Sequence, residues 1–123
     1  MKALVIDDSK AMRMILKKML TEMGFEVSEA ENGLAALGVL EAEPRPDLVL
    51  VDWNMPEMNG YEFVRAVRSR PEYDDMKLVM VTSEAQADGI DRVVEAGADE
   101  YVTKPFTRES LAEKLGLLGF PRS

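Results

Sequence analysis

The sequence predicts one α/β domain over residues 1–123, a parallel five-stranded sheet flanked by five helices. Five short apolar runs, at 2–6, 26–29, 47–51, 77–82 and 100–102, alternate with five stretches of helical periodicity. The first, third and fourth runs are rich in Val, Leu and Ile with little alternation, the pattern of strands covered on both faces. The 123 residues, 46% of them apolar, suffice for one core and not for two. Alternation of buried strands with amphipathic helices then argues a parallel sheet with helices on both faces, joined by right-handed crossovers.

The runs at 26–29 and 100–102 are shorter and more polar, which suits sheet edges. The helix predicted over 9–23 repeats Met12, Ile15, Leu16, Met19 and Met23 at helical spacing, and Gly24 stands where a left-handed C-terminal residue belongs. In 32–42, Asn32 is a capping residue and Leu34, Leu37 and Leu40 form the inward stripe. Phe63, Val64 and Val67 serve the helix over 60–69, and Pro71 follows its end. Ile90, Val93 and Val94 serve the helix over 85–96, closed by Gly97. In 107–118, Thr107 caps and Leu111, Leu115 and Leu118 face inward. Gly116, Gly119 and Pro121 predict fraying at that end. The polar stretch 68–76 is the expected flexible connection.

Composition excludes several chemistries. Without cysteine there is neither disulfide nor thiolate metal site nor thiol nucleophile, which suits a reducing cytoplasm. Without histidine there is no Ser-His-Asp triad and no phosphohistidine on this chain. A formal charge of −8 repels nucleic acid and anionic membrane. No apolar run is long enough to span a bilayer, and no signal peptide is read at the start.

The chemistry-bearing residues fall at strand ends. Asp7 and Asp8 follow the first strand, Asp52 the third, Thr82 ends the fourth and Lys104 follows the fifth. Ligands of open parallel sheets bind outside the carboxyl ends of the strands. Three carboxylates gathered there repel unless a cation answers them. A divalent ion with all-oxygen ligands, such as Mg²⁺, is one answer, and Lys104 is the other. A hydroxyl and an ammonium at the same rim suit phosphoryl oxygens. Taken singly, Asp7, Asp8 and Thr82 read equally well as helix caps, Asp52 as a turn residue before Pro56, and Tyr101 as an edge-strand aromatic.

Together, Asp7-Asp8, Asp52-Trp53-Asn54-Met55-Pro56, Val81-Thr82-Ser83-Glu84-Ala85, Ala96-Gly97-Ala98 and Tyr101-Val102-Thr103-Lys104-Pro105-Phe106-Thr107 closely resemble the response-regulator receiver domain of two-component signalling, in its CheY-like single-domain chemotaxis subgroup. The resemblance covers essentially the whole chain. It implies the flavodoxin-like strand order 2-1-3-4-5. It implies that Asp52 accepts a phosphoryl group from the phosphohistidine of a CheA-like histidine kinase. Asp8, Asp52 and the Asn54 backbone carbonyl would ligate Mg²⁺, with Asp7 holding it through water. Thr82 and Lys104 would bond the phosphoryl oxygens. Tyr101 would report the switch on the face of the fourth helix, fifth strand and fifth helix. Asn54 and Glu84 would tune self-dephosphorylation. Lys10, Arg13 and Lys17 on the first helix would dock the phosphodonor, although a basic stripe is more simply a solvated face. The chain would be a monomeric cytoplasmic switch rather than an enzyme, with an output partner such as the flagellar motor switch.

One stretch departs from that pattern. From Glu84 to Glu100 there are six acids against Arg92 alone, and Gln86, Ala87 and Asp88 stand where motor-binding relatives carry lysines. An acidic face repels an acidic motor peptide, so a phosphate shuttle or sink in another two-component pathway is the alternative. An Asp-nucleophile phosphohydrolase needs a second acid two residues after the nucleophile, where Asn54 stands. A flavin carrier needs a phosphate-cradling loop after the first strand, where Asp7-Asp8-Ser9 would repel phosphate.

Overall fold

A computed structural model describes residues 1–53, 58–83, 94–95, 97–104 and 106–120. Its strands are β1 (Lys2–Ile6), β2 (Glu26–Ala30), β3 (Leu48–Asp52), β4 (Lys77–Ser83) and β5 (Glu100–Lys104). They form one parallel sheet in the order β2-β1-β3-β4-β5, as the resemblance implied, with the two more polar strands at the edges. The helices among the described residues are α1 (Lys10–Glu22), α2 (Gly33–Ala42), α3 (Gly60–Arg68) and a C-terminal α4 (Arg108–Leu117). The helix expected over 85–96 lies outside the described residues except for Val94 and Glu95, which are helical.

Side chains alternate across a strand, so each buried strand feeds two cores. Leu4, Ile6, Val49, Val51, Leu78 and Met80 join Ala36, Leu40, Phe63, Val64 and Val67 of α2 and α3 on one face. Ala3, Val5, Leu48, Leu50, Val79, Val81 and Val102 join Leu16 and Leu20 of α1 and Leu111 and Leu115 of α4 on the other. Burial on both faces is why the central strands read as continuous apolar runs.

Ser9, Asn32, Asn59 and Thr107 cap the four helices, each accepting a backbone N–H three residues on. Two helices end in the same way. Gly24 (φ 97°) and Gly119 (φ 95°) adopt the left-handed conformation after α1 and α4. The following Phe25 and Phe120 then donate their N–H groups to the carbonyls of Leu20 and Leu115 at 3.0 Å. This six-to-one bond is the Schellman closure. The two phenylalanine rings meet edge to face, 5.4 Å between centroids. Of the residues expected to fray that end, Gly119 instead closes the helix.

Three inward assignments also change. Leu34, Ile15 and Val94 are exposed. On α2 the buried stripe is Gly33, Ala36 and Leu40, because small residues let the helix approach closely. A Cβ on Gly33 would fall 2.9 Å from Met58. On α1 the stripe includes Leu20 rather than Ile15.

The stretch 68–76 also differs from the flexible connection expected. It holds a short 3-10 helix (Pro71–Tyr73) and buries Tyr73 and Met76. Arg68 organises it. Its Nε donates to Gly97 O (3.0 Å), Nη1 to Tyr73 O (2.8 Å) and Asp74 O (3.3 Å), and Nη2 to Met76 O and Asp99 Oδ2 (both 2.8 Å). Asp99 Oδ2 also accepts Leu78 N–H, so one guanidinium ties the end of α3 to the starts of β4 and β5. Arg68→Ala is expected to lower stability by about 2–4 kcal/mol, measured by urea denaturation, because part-buried acceptors lose their donor. Arg68→Lys should recover little of it, since a point ammonium cannot span the same fork.

Candidate functional site

The parallel register brings the predicted residues to one rim. Asp52, the last residue of β3, pairs with Val81, so Thr82 stands one residue further along β4. Ser83 pairs with Lys104, the last residue of β5. Asp7 follows Ile6, the partner of Val51. The β3 and β5 ladders run further than the apolar runs suggested, so Asp52 and Lys104 are strand residues whose backbones are held by the sheet. Polar residues at a strand's end are invisible to an apolar-run criterion.

Asp7, Asp52 and Thr82 are buried, and Asp8 is exposed. One carboxylate oxygen from each of Asp7, Asp8 and Asp52 lies within 4.8 Å of the others. Lys104 Nζ reaches into the group, 3.4 Å from Asp52 Oδ1 and 3.7 Å from Asp7 Oδ2. Trp53 beside Asp52 is half-buried. Its N–H donates to Val81 O at 3.1 Å and its ring lies 6.4 Å from that of Tyr61.

Gly60 is a site residue that the sequence reading missed. Its N–H donates to Trp53 O at 3.1 Å. A Cβ there would fall 2.7 Å from the Asp52 carbonyl oxygen and collide with the Met80 methyl group. The start of α3 therefore presses directly on the backbone of Asp52. The Asn59-Gly60 pair was visible, but its closeness to Asp52 is a tertiary fact.

The expected docking stripe divides. Lys10 is exposed and Lys17 half-exposed, Lys17 lying 3.5 Å from Glu29. Arg13 instead turns inward. Its Nη1 donates to the Asp7 carbonyl oxygen at 2.6 Å and its Nε to Glu29 Oε1 at 3.2 Å. Tyr101 is half-buried on β5, with Lys114 Nζ 4.7 Å from its ring centroid. Asn54, Glu84 and Pro105 lie outside the described residues.

The donor set fits a hard divalent cation. All its ligand atoms are oxygens. Asp7 Oδ1 accepts the Ser9 N–H at 2.8 Å, whereas the buried Asp7 Oδ2 accepts no hydrogen bond among the described residues. An oxygen in that state is a vacancy in the polar bonding of the fold. Burial pushes the Asp7 carboxyl above its ordinary value of 3.8. The Ser9 N–H and then Lys104 oppose this, and Asp8 adds to it.

The sign of the consequence follows from linkage. With its folded pKa raised, Asp7 is protonated in the fold over a window where the unfolded chain is ionised. Stability of the cation-free protein therefore falls as pH rises from 3.8 through the raised value. Asp7→Asn is expected to stabilise the protein in chelator at pH values above that raised value. The gain should vanish below the ordinary carboxyl range. Urea midpoints across pH measure both.

Comparison with known proteins agrees with this geometry. Residues 3–116 match the family model for the response regulator receiver domain. A chemotaxis protein CheY homolog of Campylobacter jejuni is 45% identical over 94% of this chain and 89% of its own. Chemotaxis protein CheY1 of Helicobacter pylori is 42% identical over 94% of each. Among solved structures, the chemotaxis response regulator CheY4 of Vibrio cholerae superposes with a TM-score of 0.88 at 34% identity, over 95% of this chain and 97% of that one. With the site and the sheet order in agreement, the chain belongs to the response regulator receiver family of two-component signalling.

Proposed function

We propose that the chain is a single receiver domain acting as a cytoplasmic chemotaxis switch, phosphorylated on Asp52. The observation that carries this reading is the crowding of Asp7, Asp8 and Asp52 within 4.8 Å, with Lys104 Nζ at 3.4 Å from Asp52. An Asp52 carboxylate oxygen attacks the phosphorus of a phosphohistidine on a CheA-like kinase. The P–N bond breaks, its electron pair leaves with the imidazole, and an acyl phosphate forms on Asp52. Such transfer depends on positioning and charge neutralisation more than on covalent help from the protein.

Asp8, Asp52 and the Asn54 carbonyl would hold Mg²⁺, and Asp7 would hold it through water. When bound, Mg²⁺ supplies the positive charge that lets phosphoryl oxygens enter an acidic rim. Lys104 binds one phosphoryl oxygen as an ammonium donor, and the Thr82 hydroxyl donates to another. Drawing Thr82 inward opens room for Tyr101, so a local charge change biases a two-state face of β5 and its flanking helices. Asn54 and Glu84, two residues past Asp52 and Thr82 in the sequence, would tune hydrolysis of the phosphate. Lys10 and Lys17 remain available to a phosphodonor on the exposed side of α1.

The chemotaxis reading rests on the relatives' names and their 41–45% identity. The acidic stretch from Glu84 to Glu100 keeps the output partner, a motor switch or another protein, a matter for pull-down with both phosphorylation states.

Beryllofluoride or acetyl phosphate with Mg²⁺ is expected to change the fluorescence of Trp53, the only tryptophan. The change should disappear in Asp52→Asn. A response without Mg²⁺, or one kept in Asp52→Asn, would overturn the reading. Lys10→Glu with Lys17→Glu should slow transfer from the kinase several-fold and leave acetyl phosphate labelling unchanged. Equal loss with both donors would count against docking on α1.

A further inference from the structure

We infer that Arg13 is a positioning residue, which aims the Asp7 carboxylate at the cation site by holding the Asp7 carbonyl oxygen. The inference rests on the reading that the acid cluster takes Mg²⁺.

Asp7 is anchored at three of its four polar atoms. Its N–H donates to Ala30 O on β2 at 3.2 Å. Its Oδ1 accepts the Ser9 N–H at the start of α1 at 2.8 Å. Its carbonyl oxygen accepts Arg13 Nη1 at 2.6 Å. Among the described residues only Oδ2 is left without a hydrogen bond, 3.7 Å from Lys104 Nζ, and one oxygen of the same carboxylate lies within 4.8 Å of carboxylate oxygens of Asp8 and Asp52. Three anchors from different directions fix both the residue's position and the plane of its carboxylate.

Arg13 is itself held. Its Nε donates to Glu29 Oε1 at 3.2 Å, and Glu29 pairs in register with Val5, two residues before Asp7. The guanidinium thus bridges the end of β1 to β2 through two of its N–H edges. Its side chain is 16% exposed against 51% for Lys17, so it sits inside the stripe rather than on it. A lysine's point ammonium cannot serve a carbonyl and a carboxylate with the same fixed fork. Groups that orient metal ligands through such contacts typically matter 10–100-fold in metal affinity.

The sign of the effect separates positioning from plain electrostatics. Arg13 is a cation near a cation site. If it acted only by charge, Arg13→Ala would tighten Mg²⁺ binding and Arg13→Lys would leave it unchanged. A positioning role predicts the reverse. By titration calorimetry on the unphosphorylated protein, Arg13→Ala, Arg13→Gln and Arg13→Lys should each weaken Mg²⁺ binding about tenfold, the low end of that range. Urea midpoints in chelator identify variants that fold, and Arg13→Gln stands in if Arg13→Ala does not. Arg13→Ala with Glu29→Gln should be little weaker than Arg13→Ala alone, because both belong to one bridge. Unchanged or tighter binding in the folded neutral variants would overturn the inference while wild type binds and Asp8→Asn does not. Failure of wild type to bind Mg²⁺ would overturn instead the reading on which it rests.

Discussion

Three carboxylates share a rim with one ammonium, and the rest of the molecule is organised around that imbalance of charge. Lys104 stands within 4 Å of both Asp7 and Asp52, yet one buried oxygen of Asp7 is left without a hydrogen bond. A polar oxygen in that condition costs free energy in the folded state. Burial acts in the same direction, pushing the Asp7 carboxyl upward despite Lys104. A fold that keeps such a site carries a local instability, which an entering cation would relieve. The same excess of negative charge that opposes the fold would thereby become affinity for a divalent ion.

That instability is tolerable only on a stiff support. The central strands are buried on both faces, and all four rim positions belong to strands or follow one directly. Gly60 brings α3 against the backbone of Asp52 more closely than any other residue would allow. Arg68 ties α3 to the starts of β4 and β5. The paired Schellman closures set Phe25 and Phe120 against each other on the face that carries α1 and α4. Gly60 acts on Asp52 itself, Arg68 and the two closures act away from the acids, and each limits how far the strand ends can relax to separate them.

Much of this was legible in the sequence, for identifiable reasons. Burial on both faces leaves unbroken runs such as Leu48–Val51, and caps such as Asn32 and Thr107 announce helix starts, so the sheet and the described helices were readable. Strand ends were not, because Asp52 and Lys104 are polar residues whose place in the ladder depends on a neighbouring strand. The α2 stripe was misread through Leu34, because side-chain size suggested burial where small Gly33 and Ala36 allow close packing. The acids, Thr82 and Lys104 were found because each is a functional group at a strand end. Gly60 was read only as the start of a helix and Arg13 only as part of a docking stripe, because their importance lies in what they touch across the fold.

Arg13 shows what a pattern of charges leaves out. Lys10, Arg13 and Lys17 look equivalent at helical spacing, yet one of the three has its guanidinium committed to the Asp7 carbonyl and Glu29. The difference is one of reach: Arg13 lies close enough to the end of β1 for its fork to close on both acceptors. A substitution there would act on the acid cluster and on any phosphodonor face together. Phosphotransfer rates measured on such a variant would mix two effects, whereas the exposed Lys10 reports on the surface. Cation affinity, measured without any phosphodonor, separates the buried role of the stripe from the exposed one.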